Sequence, residues 1–356
     1  MNDDRYPDIE RLIELDFVRA TEAAALNVFH WVGRGQKEKA DAAACDAMRG
    51  MFDLMDIRGE VVIGEGIKDN APGIFKGEKL GKWGPTAPRY HIAVDPIDGT
   101  TNVSKGAGSS ISVIAAASPE PGAADALKDI PSFYTMKMAY GPQVKSYVER
   151  LGVDCLHLKS PIDEILPVVA RALRKRVRDL VVCVLDRPRH ERLIEEIRSA
   201  GCGLRLISDG DVTAAMAPSM PEGHIDVYLG IGGAPEAVLA AAAIKCLGGE
   251  MQVQMWPRDA TEREALIEQG YGAELDRVFY ADDLAKGNNI LFCATAILEC
   301  AGMAGIRFTR SHAVTHSLLV RAKNRTIRWI QTYHDLRYKT IRLRSLAKER
   351  PLHEGS

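Results

Sequence analysis

The first half of the chain mixes helical and strand-like patterns of hydrophobic residues. Apolar residues recur at helical spacing from residue 9 to 32 and again from about residue 38 to 55. Short apolar runs predict strands at residues 60–63, 90–95 and 109–116. The N-terminal half is therefore expected to be of the α+β type.

From about residue 160 the pattern becomes a regular alternation of strands and helices. LVVCVLD predicts a strand and HERLIEEIRSAG a helix, and the same order continues through GLRLIS, VTAAMA, IDVYLGIG, PEAVLAAAAIKCLGG and MQVQMW. Such alternation is typical of a parallel, doubly wound α/β sheet. The expected fold class is α/β, with an α+β N-terminal half and a parallel-sheet C-terminal half.

The length of the chain and the change of pattern predict two domains. A chain of 356 residues is longer than a single hydrophobic core usually supports. We expect a first domain at residues 1–158 and a second at residues 159–334, whose last strands are free to return to the first. Residues 335–356 form a basic C-terminal extension, which is expected to be an oligomer contact or a surface helix.

Composition and charge narrow the class of protein. A hydrophobic content of 46% and a net charge of −2 describe an ordinary soluble protein, with no global attraction to nucleic acid or membrane. Residues 321–350 carry ten Lys or Arg against two acids, which predicts a solvated face or a subunit contact more than a nucleic-acid site. Seven cysteines without a C-x-x-C pair, and no signal peptide or membrane span, predict a cytoplasmic protein with free thiols.

Carboxylates recur at the ends of the predicted elements. Asp95 and Asp98 stand in AVDPIDGTTNVSKG, where a buried strand ends, and Asp41, Glu65 and Glu236 lie at three other element ends. Each acid alone has an ordinary explanation as a helix-terminal or turn residue. A carboxylate at the end of a core strand is nevertheless costly unless a partner compensates it. Because hard divalent cations prefer oxygen ligands, the five acids predict a site for Mg²⁺ or Mn²⁺.

Two groups of residues are suited to phosphate. The turn Gly99-Thr100-Thr101 offers N–H groups and hydroxyls to an anion, and Thr100 is placed to orient a water for attack on phosphorus. Arg187 and Arg189, in DRPRH, could hold a second phosphate with their guanidinium groups, although a surface salt-bridge cluster remains the alternative.

A further pair of acids follows the next predicted strand. Asp209 and Asp211, in SDGDV, are suited to accepting hydrogen bonds from sugar hydroxyls, while a helix N-cap is the alternative. Open α/β sheets bind ligands at the carboxyl ends of their strands, which is where this pair is expected.

Taken together, these motifs resemble a known family. D-P-I-D-G-T-T is similar to the metal-binding signature of the lithium-sensitive sugar and inositol phosphatases. The chain also contains RGQKEKADAAACDAM, VVIGEGIKDNAP, FYTMKMAYGP, CVLDRPRH, LISDGDV and GIGGAPEAVLAAAAIKCLGG. In this order, over about residues 10 to 334, they resemble the bacterial class II fructose-1,6-bisphosphatases.

The resemblance implies a role for each matching position. It implies a layered αβαβα fold, a dimer or tetramer, and Thr100 as the catalytic threonine with Asp69 as its carboxylate partner. The implied metal ligands are Asp41, Glu65, Asp95, Asp98 and Glu236, with the carbonyl of Ile97. The implied substrate contacts are Lys37, Gly99, Thr100 and Thr101 for the 1-phosphate, Tyr134, Lys137, Arg187 and Arg189 for the 6-phosphate, and Asp209, Gly210, Asp211 and Gly233 for the sugar.

Two stretches depart from the family pattern. Residues 233–237 read GAPEA where G-T-P-E-G is expected, and residues 293–305 lack the usual G-V-T-D-G. The expected function is metal-dependent hydrolysis of the 1-phosphate of fructose 1,6-bisphosphate, in gluconeogenesis. Sedoheptulose 1,7-bisphosphate, as sole or second substrate, remains an alternative, and so does a weakened sugar-phosphate-binding protein.

Overall fold

The computed structural model describes residues 10–64, 73–120, 125–152 and 155–352. Its helices are α1 Glu10–Val28, α2 Lys37–Phe52, α3 Thr100–Lys105, α4 Pro142–Leu151, α5 Ile162–Leu173, α6 Glu191–Ser199, α7 Asp211–Met216, α8 Ala234–Leu247, α9 Ala260–Leu266 and α10 Ala281–Leu284. Its strands are β1 Arg58–Ile63, β2 Lys79–Leu80, β3 Arg89–Asp98, β4 Ser110–Ala117, β5 Tyr134–Tyr140, β6 Val181–Leu185, β7 Gly203–Ile207, β8 Val227–Gly233, β9 Glu250–Trp256, β10 Phe279–Tyr280, β11 Ile290–Leu298, β12 Arg307–Phe308, β13 His312–Arg321, β14 Ile327–Asp335, β15 Thr340–Leu343 and β16 Lys348–Pro351.

Two large sheets organise the chain. The first has the strand order β12-β13-β11-β4-β3-β1-β2, with β14 also paired to β13. Its strands are antiparallel except for β1 and β3. The second has the order β10-β9-β5-β8-β6-β7. The predicted α/β class, with helices alternating between strands, is confirmed.

The second sheet is mixed, whereas the sequence predicts a parallel one. Strand β6 is parallel to β7 and to β8, as the alternating pattern indicates. Strand β5 lies between β8 and β9 and is antiparallel to both. Strand β5 comes before residue 160 in the chain, so the alternation of strands and helices after that residue does not predict it.

Three hydrophobic clusters show the predicted αβαβα layers. Helices α1 and α2 pack on one face of the first sheet. Helices α7, α8 and α10 fill the space between the two sheets, and α8 is alanine-rich and almost wholly buried there. Helices α4, α5 and α6 cover the outer face of the second sheet. No helix in the described ranges combines the length and apolarity needed to cross a bilayer, and all seven cysteines are free.

The sheets divide the chain differently from the boundary predicted at residue 158. Strand β5 precedes that residue but belongs to the second sheet, because both its edges pair there. Strands β11 to β14 lie in the first sheet, and the division into two domains stays a prediction.

The basic extension forms a hairpin, so of its two expected forms the surface helix is wrong. Strands β15 and β16 pair antiparallel, and the hairpin packs against α2 through Ile341, Leu343 and Leu352, which are buried. Arg344 is ion-paired with Asp53 at 2.6 Å. The apolar residues alternate over a short segment, which suits a two-stranded ribbon lying on a helix.

Gly50 is the residue of α2 on which the hairpin lies. A Cβ atom built at Gly50 would overlap with the carbonyl oxygen of Arg342, a backbone atom that cannot turn away. The helix and the hairpin can therefore approach closely only because residue 50 has no side chain.

We expect Gly50→Ala to lower the free energy of unfolding by about 1–3 kcal/mol, since the added methyl group must displace the hairpin. Gly272→Ala is a matched control, because a Cβ atom there would meet its nearest atom at 3.7 Å, in ordinary contact. Urea unfolding followed by circular dichroism measures both. Equal stability of the two variants would contradict the close packing described.

Candidate functional site

The turn after β3 is the centre of the candidate site. The register of β3 against β4 shifts between Asp95 and Asp98, which is a β-bulge at Pro96 and Ile97. A bulge is where a central strand can accommodate proline, and it changes the direction of the strand end. The bulge leaves Asp95 half-buried and Asp98 only 3% exposed.

A glycine is required at the next position. Gly99 has φ +96° and a Cβ atom there would lie 2.8 Å from the carbonyl oxygen of Ser109. With Gly99 as N-cap, helix α3 begins at Thr100 directly after the strand. The turn therefore places two carboxylates and two threonine hydroxyls within seven residues.

Helix α2 meets this turn at its N-terminal end. The hydroxyl of Thr100 lies 3.0 Å from the carbonyl oxygen of Ile97 and 3.3 Å from Oδ1 of Asp41. Lys37, one helical turn before Asp41, donates from Nζ to Oγ1 of Thr101 at 2.9 Å. The structure thus brings together a lysine, a carboxylate and both threonines that the sequence analysis selected.

The loop after β7 reaches the same turn from the second sheet. The backbone N–H of Thr101 donates to Oδ2 of Asp209 at 2.9 Å. Oδ2 of Asp98 accepts from the backbone N–H and the hydroxyl of Thr213, both at 3.3 Å. The predicted sugar-binding segment is therefore hydrogen-bonded directly to the turn that was predicted to be catalytic.

A buried charge cluster lies beneath this junction. Lys137 and the hydroxyl of Tyr228 both donate to the carboxylate of Asp211. Glu236, at the start of α8, has a buried Oε2 atom with no hydrogen-bond partner. Lys137 is 1% exposed, so it points into this cluster and away from any open pocket. Its assignment as a contact of the 6-phosphate remains a prediction.

The cluster holds more negative charge than its cation can neutralise. Burial, followed by the negative charges of Asp211 and Glu236, raises the pKa of Asp98 to about 8. Burial also raises the pKa of Glu236, although the positive charge of Lys137 lowers it. In the protein without metal, these acids are therefore costly to ionise.

We expect the metal-free protein to lose stability as the pH rises. The pKa of Asp98 is 3.8 in the unfolded chain and about 8 in the fold. The cost of ionising it in the fold thus appears above the unfolded pKa and is complete above the folded one. Unfolding in EDTA at pH 6 and pH 9 measures this, with Asp98→Asn as the control that weakens the dependence. An identical pH dependence in that variant would refute the assignment.

The predicted pocket for the distal phosphate contains two arginines held in different ways. The guanidinium of Arg189 donates to the carbonyl oxygen of Ile231 at 2.8 and 3.1 Å and stacks 4.5 Å from the ring centroid of Tyr134. Arg187, half-buried, donates to the carbonyl oxygen of Asp186 at 3.2 Å. Arg189 is thus fixed in place, whereas Arg187 retains side-chain donors for a ligand.

Several positioning residues were not found from the sequence. Asn102 donates to the carbonyl oxygens of Ser109 at 2.7 Å and Asp209 at 3.3 Å, and so joins the turn to the second sheet. His190 accepts from the backbone N–H of Ile231 through Nε2, at 2.7 Å. The signal for such residues is a polar side chain inside a buried stretch, such as Asn102 in α3 or Tyr228 in β8, since it must find a partner.

The donor groups fit a divalent cation. Asp41, Asp95, Asp98 and Glu236 supply only oxygen atoms, as Mg²⁺ and Mn²⁺ prefer. The unpartnered oxygen of Glu236 and the raised pKa of Asp98 are the features that a cation would relieve. In the part of the chain described, no three acid, imidazole or thiol groups are arranged to hold a metal ion by themselves. Two of the assigned residues, Glu65 and Asp69, lie outside the described residues.

Comparison with known proteins agrees with these motifs. Residues 11–334 match the family model described as bacterial fructose-1,6-bisphosphatase, glpX-encoded. The chain is 38% identical to the fructose-1,6-bisphosphatase class 2 of Haemophilus influenzae, over 92% of this chain and 97% of the relative. It is 37% identical to fructose-1,6-bisphosphatase 1 class 2 of Escherichia coli, over 92% and 96%.

A third relative has a broader name. The D-fructose 1,6-bisphosphatase class 2/sedoheptulose 1,7-bisphosphatase of Microcystis aeruginosa is 36% identical, over 94% of this chain and 100% of the relative. The family is one of metal-dependent phosphatases. With a match over nearly its whole length, the chain belongs to the family of bacterial class 2 fructose-1,6-bisphosphatases.

Proposed function

We infer that the protein hydrolyses the 1-phosphate of fructose 1,6-bisphosphate to give fructose 6-phosphate and inorganic phosphate. The observation that carries this is the position of the Thr100 hydroxyl, between Asp41 and the Ile97 carbonyl at the head of α3. A hydroxyl held by two acceptors keeps its lone pairs directed outward, where it can orient a water for attack on phosphorus.

The remaining residues hold the substrate and compensate its charge. Lys37 and the turn at Thr101 lie where the scissile phosphate would be bound, and Arg187 and Arg189 lie where the distal phosphate would be bound. The carboxylates Asp41, Asp95, Asp98 and Glu236, with Glu65, would hold Mg²⁺ or Mn²⁺. Such ions polarise the phosphoryl oxygens and neutralise the charge that develops on the leaving group.

Sedoheptulose 1,7-bisphosphate is the second candidate substrate, because one relative carries both activities in its name. The two sugars differ by one carbon between the phosphates, and both would engage the same phosphate-binding residues. Dual specificity is therefore compatible with the site.

Phosphate release from each sugar, with Mg²⁺ and with Mn²⁺, tests the proposal. We expect turnover of fructose 1,6-bisphosphate that excess EDTA abolishes. If neither sugar releases phosphate with either ion, the proposed activity fails. If a bisphosphate then still binds tightly, the protein is the weakened sugar-phosphate-binding protein that the sequence left open.

We further propose a homodimer or homotetramer that works in the cytoplasm. The free, mostly buried thiols support a reducing compartment. Light scattering after size exclusion would give the number of copies, and a monomer at micromolar concentration would contradict the assembly.

A further inference from the structure

A cavity of about 690 Å³ lies between the outer helices of the first sheet and the C-terminal hairpin. Its walls are residues 27–34 at the end of α1, residues 42–49 on α2, and residues 341–352 of the C-terminal hairpin. No residue assigned to metal or substrate lines it. The family match ends at residue 334, so one wall of the cavity belongs to the extension. The volume is within the range of small-molecule sites.

The acids around this cavity already have partners. Both oxygens of Asp46 accept from Ser345, the backbone N–H at 2.7 Å and the hydroxyl at 2.6 Å. Glu78 pairs with Arg49 at 2.6 Å and with Arg344 at 2.7 Å. The carboxylates of Asp46 and Glu78 are therefore already paired with groups of the protein itself. The other charged side chains that line the cavity are positive.

The positive charge that remains in the lining comes from Arg34 and Arg350, which line the cavity together with His30. Arg34 is exposed and makes no ion pair within the described part of the chain. Burial, followed by the positive charges of the two arginines, lowers the pKa of His30. Trp31, half-buried beside them, adds a flat apolar surface to the lining.

We propose that this cavity binds a small organic anion that combines a phosphate-like group with a flat apolar part. Arginine recognises such a group with paired N–H donors, and the indole of Trp31 offers the apolar part a surface. The segment that forms one wall of the cavity is joined to α3 by backbone hydrogen bonds. Gly33 donates to the carbonyl oxygen of Val103 at 2.8 Å, and Gly35 to that of Ser104 at 3.0 Å, both on α3.

Phenylphosphonate is a suitable probe because it has the charge and the ring, and its carbon–phosphorus bond resists a phosphatase. We would titrate it into the full-length protein in Mg²⁺ buffer by calorimetry. We expect saturable binding that Arg34→Gln weakens at least about tenfold, which is 1.4 kcal/mol. Arg187→Gln, in the predicted substrate pocket, is the matched control and should retain this binding event. Benzyl alcohol, which lacks the anion, should not bind.

The outcomes separate this site from the active site. The absence of binding to the wild type at millimolar concentration would overturn the proposal. Equal binding by Arg34→Gln, or loss of the binding event in Arg187→Gln alone, would place the anion elsewhere and overturn it too. Because Arg34 makes no ion pair in the described chain, its replacement should leave the fold intact, which circular dichroism would verify.

Discussion

Glu236→Gln should lower phosphatase turnover by about 100-fold or more and leave the metal-free protein as stable as before or more stable. The reason is the buried Oε2 atom of Glu236, which has no hydrogen-bond partner and lies in a cluster with excess negative charge. The neutral amide removes that charge from the fold, but it also removes a ligand for the cation. Steady-state kinetics over a range of Mg²⁺, together with urea unfolding in EDTA, measure the two effects separately.

Glu264→Gln provides the control, because Glu264 is exposed on α9 and is not one of the residues assigned to metal or substrate. It should change neither turnover nor stability. Full turnover in Glu236→Gln would refute the metal assignment. A loss of both turnover and stability would show instead that Glu236 has a structural role in α8.

Thr100→Ala should lower kcat by about 10²–10⁴-fold, the usual range for a group that assists proton transfer, with little change in KM. The hydroxyl is held between Ile97 and Asp41, so its removal costs orientation of the attacking water and not substrate affinity. Thr100→Ser keeps the hydroxyl and should retain most of the turnover. Single-turnover phosphate release measures the chemical step directly.

If the alanine variant keeps full turnover, the catalytic assignment of Thr100 is wrong although the family membership stands. Calorimetric Mg²⁺ binding to the same variant excludes a trivial collapse of the site, since Thr100 is not an assigned metal ligand.

Local patterns in the sequence predicted the elements that carry the site. The strand before Asp95, the turn at Gly99 and the helices at Asp41 and Glu236 all follow from spacing and turn residues. The strand continues to Asp98, beyond its predicted end, because a bulge absorbs Pro96. An irregularity of that kind depends on pairing with β4, which no local pattern contains.

Long-range pairing explains what could not be predicted. Strand β5 contains Lys137 among apolar residues, which from sequence alone fits a ligand contact as well as a buried ion pair. The structure shows the ion pair, because Lys137 donates to Asp211, which lies 74 residues further along the chain. In the extension, only a few apolar residues alternate, and charged residues are far more numerous. The sequence pattern therefore did not predict a strand there. The contacts with α2, including the close approach at Gly50, show why a hairpin is favoured there.

The packing of the hairpin on α2 has a consequence for biosynthesis. Helix α2 carries Lys37 and Asp41 near its N-terminal end, yet its outer face is covered by residues 340–352, made about 300 residues later. Until Ile341 and Leu343 have been synthesised, the outer face of α2 lacks the residues that cover it in the folded protein. Helix α2 thus gains its final cover only after about 300 further residues have been synthesised, and until then its outer face is exposed to chaperones.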